Sequence, residues 1–175
     1  MKRLFADIGL ITGKDLKIEL RSRVLTNQVA PFALMILVLF GIALDADQQS
    51  LRNFASGLFW ISVLLCALMA ISRSMTIERD DEALVGLNLS GVDPIAIFLG
   101  KTCAIAIQLL VLEIFLGVGI ILLYRSEVED VWLLVATGLF ACIAVSALGT
   151  IFGFLASGLG VRETLLPILL LPLLL

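Results

Sequence analysis

The sequence predicts an all-α, polytopic membrane protein, and three observations carry the prediction. Of 175 residues, 61% are hydrophobic and only 15% charged, with a mean hydropathy of +1.13. A water-soluble domain of this size needs a polar coat that so few charges cannot supply. The apolar residues fall into long runs, and a helix needs about 20 of them to cross a hydrocarbon core of about 30 Å. Finally, charge is confined to the stretches between the runs, with two exceptions, Lys101 and Glu113.

Composition also excludes function classes. A net charge of -3 is too small to mark an acidic or basic partner, and nothing supports nucleic-acid binding. The cysteines Cys66, Cys103 and Cys142 each stand alone in apolar sequence and read as small packing residues. There is no histidine, the commonest ligand for zinc, copper and haem iron. No metal or cofactor is therefore expected to be held directly by this chain. Lys2 and Arg3 resemble the start of a secretory signal, but Asp7 and Gly9 interrupt the apolar core such a signal needs, so the N-terminal arm is expected to be retained.

Residues 1–23 are basic and amphipathic, with Leu4, Ile8 and Ile11 on one helical face and Leu16 and Leu20 on another. Thr12 and Asp15 resemble a capping box, so a second helix is expected to start there. Glu19 and Arg23 are spaced for an i,i+4 ion pair. The lysines and arginines give the arm a basic side suited to the surface of the lipid bilayer.

The first span is expected over residues 24–44, with Pro31 tolerated in its first turns. A short acidic loop, 45–53, leads to a second span over 54–72. That span carries Ser62, Cys66, Ala70 and Ser74 at i,i+4 spacing, a strip of small residues that lets another helix approach closely.

Residues 73–94 are charged, and the chain turns apolar again at Ile95. Within this loop Ala83, Leu84 and Leu87 share one face of a short helix over 81–89 whose start is acidic, as the helix dipole favours. Such a helix, pinned between two spans, is shaped to dock on a soluble partner. Asp93 caps and Pro94 opens the third span, 95–124. Its roughly 45 Å length exceeds the hydrocarbon core, so the part near Lys101 is expected in the interface.

A second acidic loop leads to a fourth span, 131–155, with two small-residue strips: Gly138, Cys142, Ser146, Thr150, and Gly149, Gly153, Ser157. Residues 165–175 open a fifth apolar segment, about 16 Å long as a helix, which reads as the start of a further span cut short. The whole is expected to be one transmembrane domain. Placing residues 1–23, 73–94 and 157–164 on one side leaves only Arg52 and Arg125 on the other, which puts the N-terminus in the cytoplasm. Trp60, Tyr124 and Trp132 then fall toward the exterior face, where an aromatic belt is expected.

Chemistry-bearing residues are few. Gly100-Lys101-Thr102 looks like the end of a phosphate-binding loop, but Ile95 stands where that loop needs glycine and no strand precedes it. No nucleophile, base and orienting group occur together, so the chain is expected not to be an enzyme. Glu113 is the sole carboxylate deep in a span and must face the protein interior, paired or protonated. Lys101 lies about 18 Å away on the same helix, too far to pair with it.

The run E-R-D-D-E-A-L-V-G-L-N-L-S-G-V-D-P-I-A-I-F-L-G-K at 78–101, preceded by Ser72-Arg73, resembles the cytoplasmic loop of type-2 ABC export permeases. With K-D-L-K-I-E-L-R-S-R at 14–23 and V-R-E-T-L-L-P-I-L-L-L-P-L-L at 161–174, it most resembles the haem exporter protein B family of the cytochrome c maturation system. The resemblance implies a type-2 ABC exporter permease fold of six helices, five segments of which are visible, in a bacterial cytoplasmic (inner) membrane. It implies a separately encoded ABC ATPase holding ATP and Mg, a haem-handling membrane protein, a periplasmic haem chaperone, and a second permease copy or related subunit. Haem is the expected cargo. Carried onto this chain, Glu78, Arg79, Asp80, Asp81, Glu82, Leu84, Gly86 and Leu87 form the ATPase-coupling element, and Arg162 and Glu163 a smaller second contact. Two alternatives stay open: a type-2 permease for a lipid, glycan or drug, and a non-transporting scaffold whose ATP-driven motion releases a haem chaperone.

Overall fold

The computed structural model describes residues 2–23, 25–45, 47–80, 93–125 and 130–158, with side chains for all of these except 2, 73, 75–80 and 156–158. The described residues form α1 (Lys2–Ser22), a π-helical turn (Leu25–Val29), α2 (Ala30–Ala43), α3 (Gln48–Asp80), α4 (Pro94–Tyr124) and α5 (Val131–Gly158). Helix is the expected choice in lipid, where every backbone N–H and C=O must be satisfied within the protein. Four stretches are long and apolar enough to cross a membrane: Leu25–Ala43, Gln48–Ser72, Pro94–Tyr124 and Val131–Leu155.

The basic arm is one continuous helix, not two. The Thr12 hydroxyl, expected to cap a new helix, instead donates to the Gly100 carbonyl at 3.0 Å, and a tertiary partner has overridden a local signal. The expected Glu19–Arg23 pair gives way as well, for Glu19 Oε1 accepts the Leu25 N–H at 2.5 Å. Arg23 takes a left-handed backbone, φ 53°, which turns the chain out of α1. The π turn after it widens the helix just before Pro31, whose ring would otherwise press on the preceding turn.

The acidic loop expected over 45–53 is much shorter. Asp45 turns the chain with φ 55°, and Asp47 starts α3 by accepting the Ser50 N–H at 2.9 Å. Beyond the second span, α3 runs on without a break to Asp80. The start of α4 is the expected one, with Asp93 Oδ1 accepting the Ile95 N–H at 2.9 Å and Pro94 in the first turn.

The central helix is α4, which packs against α1, α2, α3 and α5. Ile105, Leu109, Leu112, Leu116 and Ile120 recur along one face and are buried, while Ile107, Val111, Ile114, Val118 and Ile121 on the other are exposed. Small residues set the close approaches. A Cβ on Gly149 would meet Ile71 Cδ1 at 2.5 Å, so α3 and α5 touch almost backbone to side chain there. Ser62, Cys66, Ser146 and Thr150 are likewise buried. The hydroxyls of Ser62, Ser146 and Thr150 donate back to carbonyls of their own helices, at Leu58, Ile143 and Ser146 respectively.

Of the three aromatics expected in a belt, Trp132 is 85% exposed, but Tyr124 is 1% exposed. Its hydroxyl donates to the Leu37 carbonyl at 2.7 Å, tying the end of α4 to α2. Trp60 is half-buried and packs edge-on against Phe59, their ring centroids 5.2 Å apart.

Candidate functional site

Besides Tyr124, α4 buries one amine and one carboxyl, Lys101 and Glu113, and the neighbouring helices treat these two differently. Lys101 is 2% exposed. It lies in the second turn, where Gly100 admits α1 so closely that a Cβ would meet Ile11 Cβ at 2.8 Å. That contact brings Asp15 to Lys101, with Nζ to Oδ2 at 3.4 Å. Asp15 also meets Lys14 at 3.3 Å. Ile8, Ile11, Thr12 and Asp15 sit at i, i+3, i+4 and i+7 of α1, so a single helical face supplies the apolar contact, the hydroxyl and the carboxylate.

Glu113 lies three turns further along α4 and is 8% exposed. It faces α5, where a Cβ on Gly138 would sit 2.6 Å from Glu113 Oε2. Cys142, one turn on from Gly138, stands beside the same carboxyl. The other oxygen, Oε1, is buried with no hydrogen-bond partner among the described residues. Beside the carboxyl a cavity of about 40 Å³ opens between α3, α4 and α5, lined otherwise by apolar side chains and Cys142, among them Trp60, Ala67, Leu109 and Val145. It has room for a few water-sized groups, not for a haem.

The expected coupling residues are reached only in part. Glu78, Arg79 and Asp80 belong to the last turn of α3 and are described by their backbone. Asp81, Glu82, Leu84, Gly86, Leu87, Arg162 and Glu163 lie outside the described residues, as do the expected helix at 81–89 and the segment at 165–175. Among the described residues no group of three or more His, Cys, Asp or Glu could hold a metal. Sequence pattern alone did not reveal Asp15 and Thr12 as partners of α4, nor Gly138 and Cys142 as neighbours of Glu113. The small-residue strip containing Gly138 and Cys142 was the one trace of that contact.

Long apolar helices around a central one, with ionisable groups turned inward, define a multi-pass α-helical membrane protein. Residues 7–175 match the family described as CcmB protein, and the chain belongs to that family. It is 27% identical over 164 residues to heme exporter protein B of Rhodobacter capsulatus, covering 93% of this chain and 75% of that one. The heme exporter protein B of Escherichia coli K12 is 30% identical over 73 residues, 42% of this chain and 33% of that protein. The Shigella flexneri protein of the same name aligns with the same identity and coverage. No solved structure matches the chain.

Proposed function

We propose that this chain is the permease subunit of an ABC transporter that serves cytochrome c maturation. It couples ATP hydrolysis on a separately encoded subunit to haem export, or to haem delivery to a periplasmic chaperone. The observation that carries the reading is the family match over residues 7–175 together with its resemblance to heme exporter protein B along 93% of the chain. The chain itself acts as a non-catalytic membrane subunit of the inner membrane, its N-terminus in the cytoplasm. A haem-handling membrane protein and a second permease copy or related subunit complete the assembly.

The geometry suits such coupling. Glu78, Arg79 and Asp80 continue the same helix that contributes Cys66, Ala67 and Ile71 to the interior. Force applied by an ATPase at that end is passed directly into the packed helices, because an unbroken helix transmits displacement along its axis. At the start of α4 the Asp15–Lys101 pair and the Gly100 contact make α1 move with it. The residues 81–87, with Arg162 and Glu163, supply the rest of the ATPase contact in this reading.

The test is covalent haem in c-type cytochromes, stained in membranes of source cells lacking the gene and of the same cells complemented with the full-length protein. Loss in the deletion strain and recovery on complementation are expected. Normal cytochromes in a deletion strain without a duplicate gene would overturn the haem assignment and leave a type-2 permease for an amphiphile. Haem flux across proteoliposomes carrying the complex then separates an exporter from an ATP-driven scaffold.

A further inference from the structure

We propose that Glu113 is a proton-binding site inside the membrane, beside the cavity between α3, α4 and α5. The inference stands on the surroundings of the carboxyl and does not depend on the cargo. From α3 the cavity wall contributes Trp60 and Ala67 with other apolar side chains, none of them titratable. On α4 the neighbouring wall residue is Leu109, and the nearest charged group along that helix, Lys101, is about 18 Å distant and engaged by Asp15. From α5 the facing groups are Gly138, which has no side chain, and Cys142, whose thiol is the single titratable neighbour among the described residues.

An ionised carboxylate here would have one oxygen without a donor among the described residues and no cation among the cavity walls to balance it. Such a burial is far more costly than that of the neutral acid. The neutral acid carries no charge to desolvate and a single O–H donor, for which the Cys142 sulfur is a weak acceptor. The ligand is therefore the proton, held on the carboxyl and exchanged only when α3, α4 and α5 admit water to the cavity. The notch at Gly138 gives the acid its room, since any side chain there would press on Oε2.

The experiment uses the full-length protein in lipid vesicles. A lipophilic carbodiimide, which reacts with protonated carboxyls in apolar surroundings, is compared with a water-soluble one, and adducts are located by mass spectrometry. Glu113 is expected to take the lipophilic reagent at least roughly tenfold more than exposed Asp47 does, and the water-soluble reagent hardly at all. Labelling of Glu113 by the water-soluble reagent to a similar extent, or no lipophilic adduct on it at neutral pH, would overturn the proposal. Infrared spectroscopy gives a second, reagent-free reading: wild type shows the carbonyl stretch of a protonated acid, and isosteric Glu113→Gln removes it. Absence of that band in wild type also overturns the site.

Discussion

Lys101 and Glu113 are on one helix, both nearly inaccessible, and yet they have opposite solutions to the same problem. At the start of α4 a second helix brings a carboxylate to within 3.4 Å of the ammonium. Deeper in, three helices surround a carboxyl with apolar side chains, a glycine and a thiol, and leave one oxygen without a donor among the described residues. A buried charge near the end of an apolar helix can be matched by a polar helix such as α1, which keeps Lys17 and Arg21 exposed on its other side. A group in the middle has only other spans as neighbours, and those are apolar by necessity. The difference teaches that charge is retained where a partner can be solvated and is given up where it cannot.

The strongest way to break this contrast is to remove the partner of Lys101. Asp15→Leu removes the carboxylate that faces the buried ammonium, and a loss of about 2–4 kcal/mol in unfolding from detergent micelles is expected. The double exchange of Asp15→Lys with Lys101→Asp should recover most of it, whereas a mere packing role for Asp15 would give no recovery. Next in size is Gly100→Val, which forces side-chain atoms into Ile11 and the Ile8 carbonyl. It should cost about 1–3 kcal/mol in the same assay, and protease access to the α1 arm should rise as that helix is pushed away.

A smaller effect is expected at the other pole. Glu113→Gln replaces a neutral acid by a neutral amide of the same shape, so stability should change by less than about 1 kcal/mol. A loss comparable to that of Asp15→Leu would mean that Glu113 is a charged partner in a pair, and the contrast would fail. The smallest effect concerns a third carboxyl, Asp47, which stays in water at the start of α3. Hydrogen bonds from the Ser50 hydroxyl, then from the Ser50 N–H, lower its pKa. A lowered folded-state pKa means that its contribution is complete above the ordinary carboxylate value and is lost as pH falls through the folded one. Circular dichroism should show slight fraying of α3 below that range in wild type, and none of this pH dependence in Asp47→Ala.

Much of the fold is legible in the sequence, for reasons visible in particular residues. The Asp93-Pro94 start of α4 depends on neighbours two residues apart, and local geometry decides it. The end of α3 is not legible in the same way, because Arg73 to Asp80 are largely polar, and polarity marks where lipid ends and not where a helix ends. Tyr124 has the position of a belt aromatic at a span end; the Leu37 carbonyl that receives its hydroxyl is 87 residues away and invisible locally. The same limit hides Asp15, 86 residues from Lys101. Glu113 stands out because a carboxylate in an apolar run is costly wherever the helix turns, but its glycine and thiol neighbours do not.

By itself the sequence determined where the apolar helices run, roughly where each begins, and that Glu113 must face inward. These follow from free energies that depend on one residue and its near neighbours: transfer to lipid, capping and backbone hydrogen bonding. Only the tertiary structure decided which stripe of α4 is buried, since Leu109 and Val111 are both apolar and lipid offers little preference between them. That choice rests on shape, on where Gly100, Gly138 and Gly149 let another helix come close. It is also what gave Lys101 an ion-pair partner and left Glu113 with a cavity.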